Sequence, residues 1–477
     1  MTDCVYNPQT CTGCGACAAR CPQRAIRMEI GEEGFVRPVI DADKCVGCGL
    51  CARVCPAEHP VCENAEKPEC LAAAAADELR RDSSSGAVFP LLAERVLQEG
   101  GTVFGAARDE DGTVRHIGVD DLDGLRKLKS SKYVQSETGN CYRQAEELLK
   151  AGREVLFSGT PCQIAGLNAF LGRKYDNLLT VDVVCHGVPS PLAFRRYAEE
   201  LTEEGKEKVL AVNFRDKVRG WYPYFLTVKT EENVYSSDCR ENEFMRAFLA
   251  NLCLRKSCAA CPFARFPRQG DLTLGDFWGI GRHAPDLDDN LGTSLVLINT
   301  ERGRRRMAEL TPRLKFRRSL PLARAIEGNP SLVRPPVPHP QRDYFFARLE
   351  QLPFKQNVSH CFNNRYDCGI LNFWFGSNYG AMLTCYALQE SVKRLGLKPK
   401  VINYVPANVN FAGSLAETFA GKYLDLTELC TNAEELRRLN RETKAFIVGS
   451  DQVWRHKYSR LFGRDLFWLS FAAVSYT

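Results

Sequence analysis

The sequence predicts an α+β, cysteine-rich module at the front, followed by α/β domains on mostly parallel sheets. Three observations predict it. Two identical four-cysteine runs fall before residue 56. From Gly86 onward, helical apolar spacing alternates with short runs rich in Val, Leu and Phe. After residue 360 the alternation restarts with a strand, a glycine-bounded loop, a helix and a second strand. Alternating elements of this kind build βαβ units. A length of 477 residues itself suggests about three domains.

Composition narrows the classes. Hydrophobic content is 44% and charged content 25%, ordinary for a globular chain. The net charge is +5 and basic residues form no runs, so no nucleic-acid or polybasic membrane contact is expected. Met1–Pro8 has no charged-then-apolar leader, and no secretory peptide is expected. No stretch reaches the roughly 18 apolar residues of a membrane span, and the alanine run at 71–76 closes at Asp77 and Glu78. The expectation is a soluble cytoplasmic protein. Cysteine is the outlier, at 22 residues. In a long chain of a reducing compartment, such cysteines more often bind metal or do chemistry than form disulfides.

Residues 1–60 form the first module. Cys11, Cys14, Cys17 and Cys21 read Cys-x-x-Cys-x-x-Cys-x-x-x-Cys-Pro, and Cys45, Cys48, Cys51 and Cys55 repeat the pattern. This is the bacterial two-cluster ferredoxin arrangement, in which three thiolates of one run hold a 4Fe-4S cubane and the fourth crosses to the other. Cluster one is therefore assigned to Cys11, Cys14, Cys17 and Cys55. Cluster two takes Cys45, Cys48, Cys51 and Cys21. Gly13, Gly15, Gly47 and Gly49 let the backbone wrap closely and aim amides at sulfur. Zinc needs only four ligands and does not call for two such runs. Cys4, Cys62 and Cys70 lie outside the pattern and read as ordinary thiols.

Residues 61–82, with Pro, Glu and Ala, read as a linker. In the domain expected at 83–350, Val88–Gln98 has helical spacing and Thr102–Gly105 reads as a strand. Arg143–Lys150 and Ile164–Leu171 read as helices, and Glu154–Gly159 and Leu178–Cys185 as buried strands. Ser84, Ser85 and Gly86 precede a helix, where free amides and hydroxyls suit a pyrophosphate; they are equally ordinary capping residues. Ser131, Lys132 and Tyr133 lie in a polar loop with one cation and one aromatic ring, fit for a flavin or phosphate or simply for solvent. Cys162 and Cys185 each follow a strand, and the carboxyl ends of neighbouring strands share one crevice. Cys258 and Cys261 in a Cys-x-x-Cys turn would complete a third 4Fe-4S cluster. The alternative is that they are core thiols. Cys141, Cys239 and Cys253 are less favoured as ligands, and His186 is either a supporting hydrogen-bond donor or a loop residue.

The segments Ser158–Gln163, Val181–Pro191, Lys256–Phe263 and Asp271–Gly281, with Ser130–Ser136 and the Ser/Gly entry at 83–86, resemble the coenzyme F-420 hydrogenase/dehydrogenase beta-subunit family over roughly residues 80–350. The resemblance implies an oxidoreductase with FAD and iron–sulfur clusters that passes electrons to a two-electron carrier, a deazaflavin or another, through a redox partner protein or soluble electron carrier. A flavin suits that task because it joins one-electron clusters to two-electron donors.

Residues 360–477 change character. Ile370–Ala381 reads as a strand and glycine loop, Leu383–Leu388 as a helix, Val401–Tyr404 as a strand, and Ala445–Arg455 as a strand ending in a polar loop. Strand, loop, helix and strand begin a doubly wound domain. Asn378–Ala381 and Gly449–Trp454 resemble the N-terminal half of polysaccharide pyruvyl transferases. That resemblance implies a partial glycosyltransferase-like lobe, a link to glycan biosynthesis, and an alternative function: transfer of pyruvyl from phosphoenolpyruvate to a sugar. Ending at Thr477, the chain is expected to carry only the first lobe. Residues 325–345 would connect the halves.

Overall fold

The computed structural model describes residues 7–109, 111–203, 205–363, 366–372, 374, 379–405, 414–439 and 442–449. It divides into two compact units, Met1–Val358 and Ser359–Thr477. In the first unit, strands β1 (Ile26–Ile30) and β2 (Val36–Ile40) pair antiparallel as a hairpin between two short helices, Ala16–Arg20 and Leu50–Arg53. This is the ferredoxin-like module.

Behind it stands an eight-stranded sheet. Its strands are β3 (Glu69–Ala75), β4 (Thr102–Arg108), β5 (Val114–Val119), β6 (Val155–Gly159) and β7 (Leu178–Val183), with three more that come after an insertion. The insertion is an antiparallel sheet of β8 (Val209–Asp216), β9 (Phe225–Thr230) and β10 (Val234–Asp238). Then follow β11 (Leu272–Asp276), β12 (Ser294–Ile298) and β13 (Leu314–Ser319). The order is β13-β3-β12-β11-β7-β6-β4-β5. Only β11, β7, β6 and β4 pair in parallel, and every other neighbour is antiparallel. The mostly parallel sheet expected here is thus corrected to a mixed one. Because β3 opposes β12 and β12 opposes β11, β3 runs the same way as the parallel four. Five strands therefore send their carboxyl ends to one edge, where open α/β sheets bind ligands.

The linker reading of 61–82 is also corrected. β3 is an interior strand of the sheet, paired on both sides by β13 and β12, with Leu71 to Ala75 at most 1% exposed. Leu71, Ala73 and Ala75 pack on the face covered by the helix Val88–Gln98, while Cys70 and Ala72 pack with Phe277 and Ala325 on the other. A run of alanines has no hydrophobic alternation to announce a strand, and alanine favours helices by propensity. Tertiary packing overrides that preference because small side chains let both layers approach closely. Residues 325–345 are no free connection either. Ala325 and Leu332 belong to the same core, and the buried Arg342 donates to the carbonyl of Leu254 at 2.7 Å.

In the second unit β14 (Tyr366–Leu371), β15 (Pro399–Val401) and β16 (Thr443–Val448) form a parallel sheet of order β15-β14-β16. Its core holds Ile370, Val401 and Cys385, the last from the helix Tyr379–Arg394. The first strand lies between the other two, as doubly wound domains begin. Asn378 and Ser450–Trp454, which carry most of the transferase resemblance, lie outside the described residues. Among the described residues no helix is long and apolar enough to cross a membrane.

Candidate functional site

The two four-cysteine runs fold alike but sit in different surroundings. Gly13, Gly15, Gly47 and Gly49 all take positive φ, from 68° to 81°, so each Cys-x-x-Cys-x-x-Cys segment curls into the same left-handed turn before a short helix. A Cβ on Gly13 would lie 2.6 Å from Gln135 Nε2, and one on Gly15 2.5 Å from Thr138 Oγ1. Nothing lies within 4 Å of the same position on Gly47 or Gly49. The first turn is pressed against the large sheet domain and the second faces outward. Cys11, Cys14, Cys17, Cys51 and Cys55 line one small cavity. Cys14 is buried and Cys48 exposed. Cys21 accepts a hydrogen bond from the Ala25 amide at 3.3 Å. Burial pushes the Cys17 thiol up to about 12, with neighbouring thiols adding to it.

The module is locked to the sheet domain by backbone-directed bonds. The Val36 amide donates to Gln135 Oε1 at 2.9 Å, and the Thr138 hydroxyl to the Cys14 carbonyl at 3.0 Å. Arg143 donates to the carbonyls of Ala18, Ala19 and Cys21 at the end of the first short helix.

Cys162, Cys185, Cys258 and Cys261 line a second cavity of the same size, about 40 Å³ each. Cys162 sits in the first turn of the helix Pro161–Leu171, where Thr160 and Gln163 form a reciprocal capping box. That box fixes the thiol at the carboxyl end of β6. Cys185 follows β7, and the last two come from the turn Lys256–Ala260 and its end. Burial, reinforced by Cys258, Cys162 and Cys261, pushes the Cys185 thiol well up. The Val188 amide donates to Cys258 Sγ at 3.4 Å. The thiols ring a cavity and do not meet at a point: among the described residues no three His, Cys, Asp or Glu groups gather closely enough for one metal ion. Cys141, Cys239 and Cys253 stand elsewhere, buried.

Cys162 and Cys185 also line a cavity of about 690 Å³, within the usual range for small-molecule sites. Ser84, Ser85, Ser131, Lys132 and Tyr133 line it. Gly86 does not. Its amide donates to Ser294 Oγ at 3.0 Å, and a Cβ there would lie 2.4 Å from the Ala73 carbonyl oxygen, so it serves close packing against β3. The Lys132 ammonium is also spent elsewhere, on the carbonyls of Lys127, Lys129 and Ser130 at 2.6–3.1 Å. It shapes the loop and is not free to meet a phosphate. The Ser131 amide and hydroxyl both donate to Ser84 Oγ at 2.9 Å, tying the two serine segments together. The helix Val88–Gln98 opens on this cavity with no side-chain cap. Ala87 and Ser130, both at its wall, hold positive φ of 63° and 66°, a strain typical of functional sites.

Several lining groups have no local sequence signal. Arg215, at the end of β8, donates to both oxygens of Asp276 at 2.8 and 3.2 Å and to Tyr133 Oη at 3.3 Å. Its guanidinium lies 4.1 Å from the Tyr224 ring centre and 5.0 Å from that of Trp278, which stacks on Trp221. Burial pulls this guanidinium down, but Asp276, Tyr133 and Tyr224 outweigh it and keep it charged. Arg215 Nε and His186 Nε2 are buried without a hydrogen-bond partner. Asp276 and Trp278 fall inside Asp271–Gly281, which carried part of the family resemblance, but the Arg215–Asp276 pairing across 61 residues is visible only in the fold.

The model for the 4Fe-4S dicluster domain matches residues 10–59. That for the C terminus of the coenzyme F420 hydrogenase/dehydrogenase beta subunit matches residues 152–317. No curated protein matches the chain. Among solved structures, a chain of the F420-reducing [NiFe] hydrogenase complex from Methanosarcina barkeri matches at 16% identity, covering 63% of this chain and 93% of that one, with a TM-score of 0.38. The F420 model match takes in Cys162, Cys185, Cys258, Cys261, Arg215 and Asp276, and leaves out the serine segments at 83–86 and 130–136. Residues 10–59 thus match a 4Fe-4S dicluster domain, and residues 152–317, behind it, match the C-terminal part of coenzyme F420 hydrogenase/dehydrogenase beta subunits.

Proposed function

We propose that this chain is an iron–sulfur flavoprotein oxidoreductase that relays electrons between an outside carrier and a bound flavin. Cys45, Cys48, Cys51 and Cys21 hold the outermost cluster, Cys11, Cys14, Cys17 and Cys55 the next, and Cys162, Cys185, Cys258 and Cys261 a third. The single observation that carries this reading is Thr12, which lines the first cysteine cavity, the second, and the large cavity alike. Successive redox centres would therefore be near neighbours, as electron transfer requires.

The large cavity suits FAD. The uncapped helix start at Val88 and the linked serines Ser84 and Ser131 offer amides and hydroxyls to a pyrophosphate. Tyr133, Tyr224 and Trp278 offer faces to a planar ring. The charged Arg215 adds a fixed cation with a spare Nε donor. When bound, the flavin would convert single electrons from the clusters into a two-electron exchange with a carrier such as a deazaflavin. The chain's own part is to orient the ring beside Cys162 and Cys185 and to keep water from it.

Anaerobic purification with iron, sulfide and flavin measured on one sample tests the whole reading. About twelve irons and one FAD per chain are expected. Zinc in place of iron, or iron without any flavin, would end the reading.

A further inference from the structure

Among the described residues five arginines are buried, Arg80, Arg215, Arg255, Arg268 and Arg342. Four face a carboxylate: Asp289, Asp276, Asp182 and Glu33 respectively. Arg255, 6% exposed, has none among the described residues. Its Nε donates to the Cys11 carbonyl at 2.8 Å, its Nη1 to the Val36 carbonyl at 3.0 Å, and its Nη2 to Cys11 Sγ at 3.7 Å. The same side chain lines the cavity of Cys162, Cys185, Cys258 and Cys261. It thus sits between two sets of thiols. The contact runs both ways, since Thr12, next to Cys11, lines the cavity of Cys162.

A guanidinium cannot shed its proton in a protein, and burying an unpaired cation costs several kcal/mol. It needs an anionic neighbour. Two thiolate-ligated cubanes, each carrying net negative charge, supply one on either side. We propose that Arg255 is a positioning residue shared by the two inner clusters, the common counter-charge that raises both reduction potentials together. The inference rests on the electron-relay reading and names which pair of centres that relay couples.

The sign follows from charge. Reduction adds a negative charge to a cluster, so a fixed cation nearby favours the reduced form, as does a hydrogen bond to a ligand sulfur. At a few ångströms and an effective dielectric constant near 20, such a charge is worth at least about a factor of ten in an equilibrium.

The test uses the full chain, purified anaerobically, with cluster potentials poised electrochemically and read by paramagnetic resonance. In Arg255→Gln the iron content stays near that of the parent. The reduced-to-oxidised ratio at a fixed potential falls about tenfold for both inner clusters, a shift of about 59 mV for a one-electron couple. The outer cluster stays in place. Arg255→Lys keeps the charge and returns most of the shift. Unchanged potentials, a shift confined to one inner cluster, or loss of iron from the Gln and Lys variants alike would overturn the proposal. A parent with about eight irons would instead remove the third cluster, and with it the relay reading on which the proposal stands.

Discussion

His116 shows how a single buried side chain can carry a pH dependence. It lies on β5 at the wall of the large cavity, 5% exposed. Its Nε2 faces the Ser158 carbonyl at 3.0 Å and its Nδ1 faces Ser136 Oγ at 2.7 Å. A carbonyl can only accept, so Nε2 carries the proton and Nδ1 accepts from the serine hydroxyl. Burial lowers its pKa to about 4, against about 6.5 in an unfolded chain. Between those values the unfolded state takes up a proton that the folded state refuses. Stability is therefore intact above about pH 6.5 and falls as pH drops toward 4, by up to about 3 kcal/mol. His116→Gln keeps a donor and an acceptor but does not titrate. The difference in melting temperature between parent and variant should widen in the variant's favour from pH 7 to pH 5; a constant difference would refute the assignment.

The ligand cysteines can be tested at the same scale. Cys14→Ala and Cys48→Ala should each lose one cluster, about four irons, and Cys185→Ala the same number from the third site. Of the two alanines in the front module, only that at Cys14 should also lower the melting temperature markedly, because Cys14 packs in one core with Tyr142, Phe157 and Ile164 of the sheet domain, whereas Cys48 is exposed. The two front four-cysteine runs were legible in the sequence because their members lie close together along the chain, inside the stretch that matches a 4Fe-4S dicluster domain. Arg255 was not, since its contact with Cys11 spans 244 residues. Arg215 and His116 were hidden for the same reason.

Among the elements, the serine segment at 83–85 depends on a neighbour that the sequence does not advertise. Lys217, just past β8, donates to the carbonyls of Arg80, Ser85 and Leu291 at 2.6–3.0 Å. It clasps the short helix Asp77–Arg81 and the cavity wall to the loop before β12. Lys217→Met would leave three carbonyls without their donor at a cost of roughly 2–3 kcal/mol. The expected result is a lower melting temperature, weaker flavin retention on gel filtration and unchanged iron, because no cysteine site touches this clasp. Equal loss of iron and flavin would show a general collapse instead. The helix Val88–Gln98 and strands β4, β6 and β7 were readable from periodicity, since each carries a full apolar pattern. β3 was not, because close packing on both faces selects alanine, which writes no alternation. The antiparallel insertion β8–β10 also went unread, as its strands β8 and β10 lie near the surface with mixed burial.

At the scale of the whole molecule, the described residues that line the cysteine cavities and the large cavity all belong to the first unit. Its core closes with Phe354 and Val358, both 1% exposed, and Phe354 packs edge-on against Tyr197 and Phe345 of the same unit. The second unit has its own parallel sheet and core. A chain ending at residue 365 keeps those closing residues, and its stability should fall by less than the roughly 1–2 kcal/mol that changes cellular abundance. It should retain about twelve irons and the flavin, and its anaerobic rate with an artificial dye should stay within about a factor of two of the parent, a change of under 1 kcal/mol in the barrier. The complementary piece, residues 359–477, should bind neither cofactor. If the shortened chain instead lost its flavin while keeping its iron, the second unit would have to take part in the redox site, and the assignment of the flavin site to the first unit would fail.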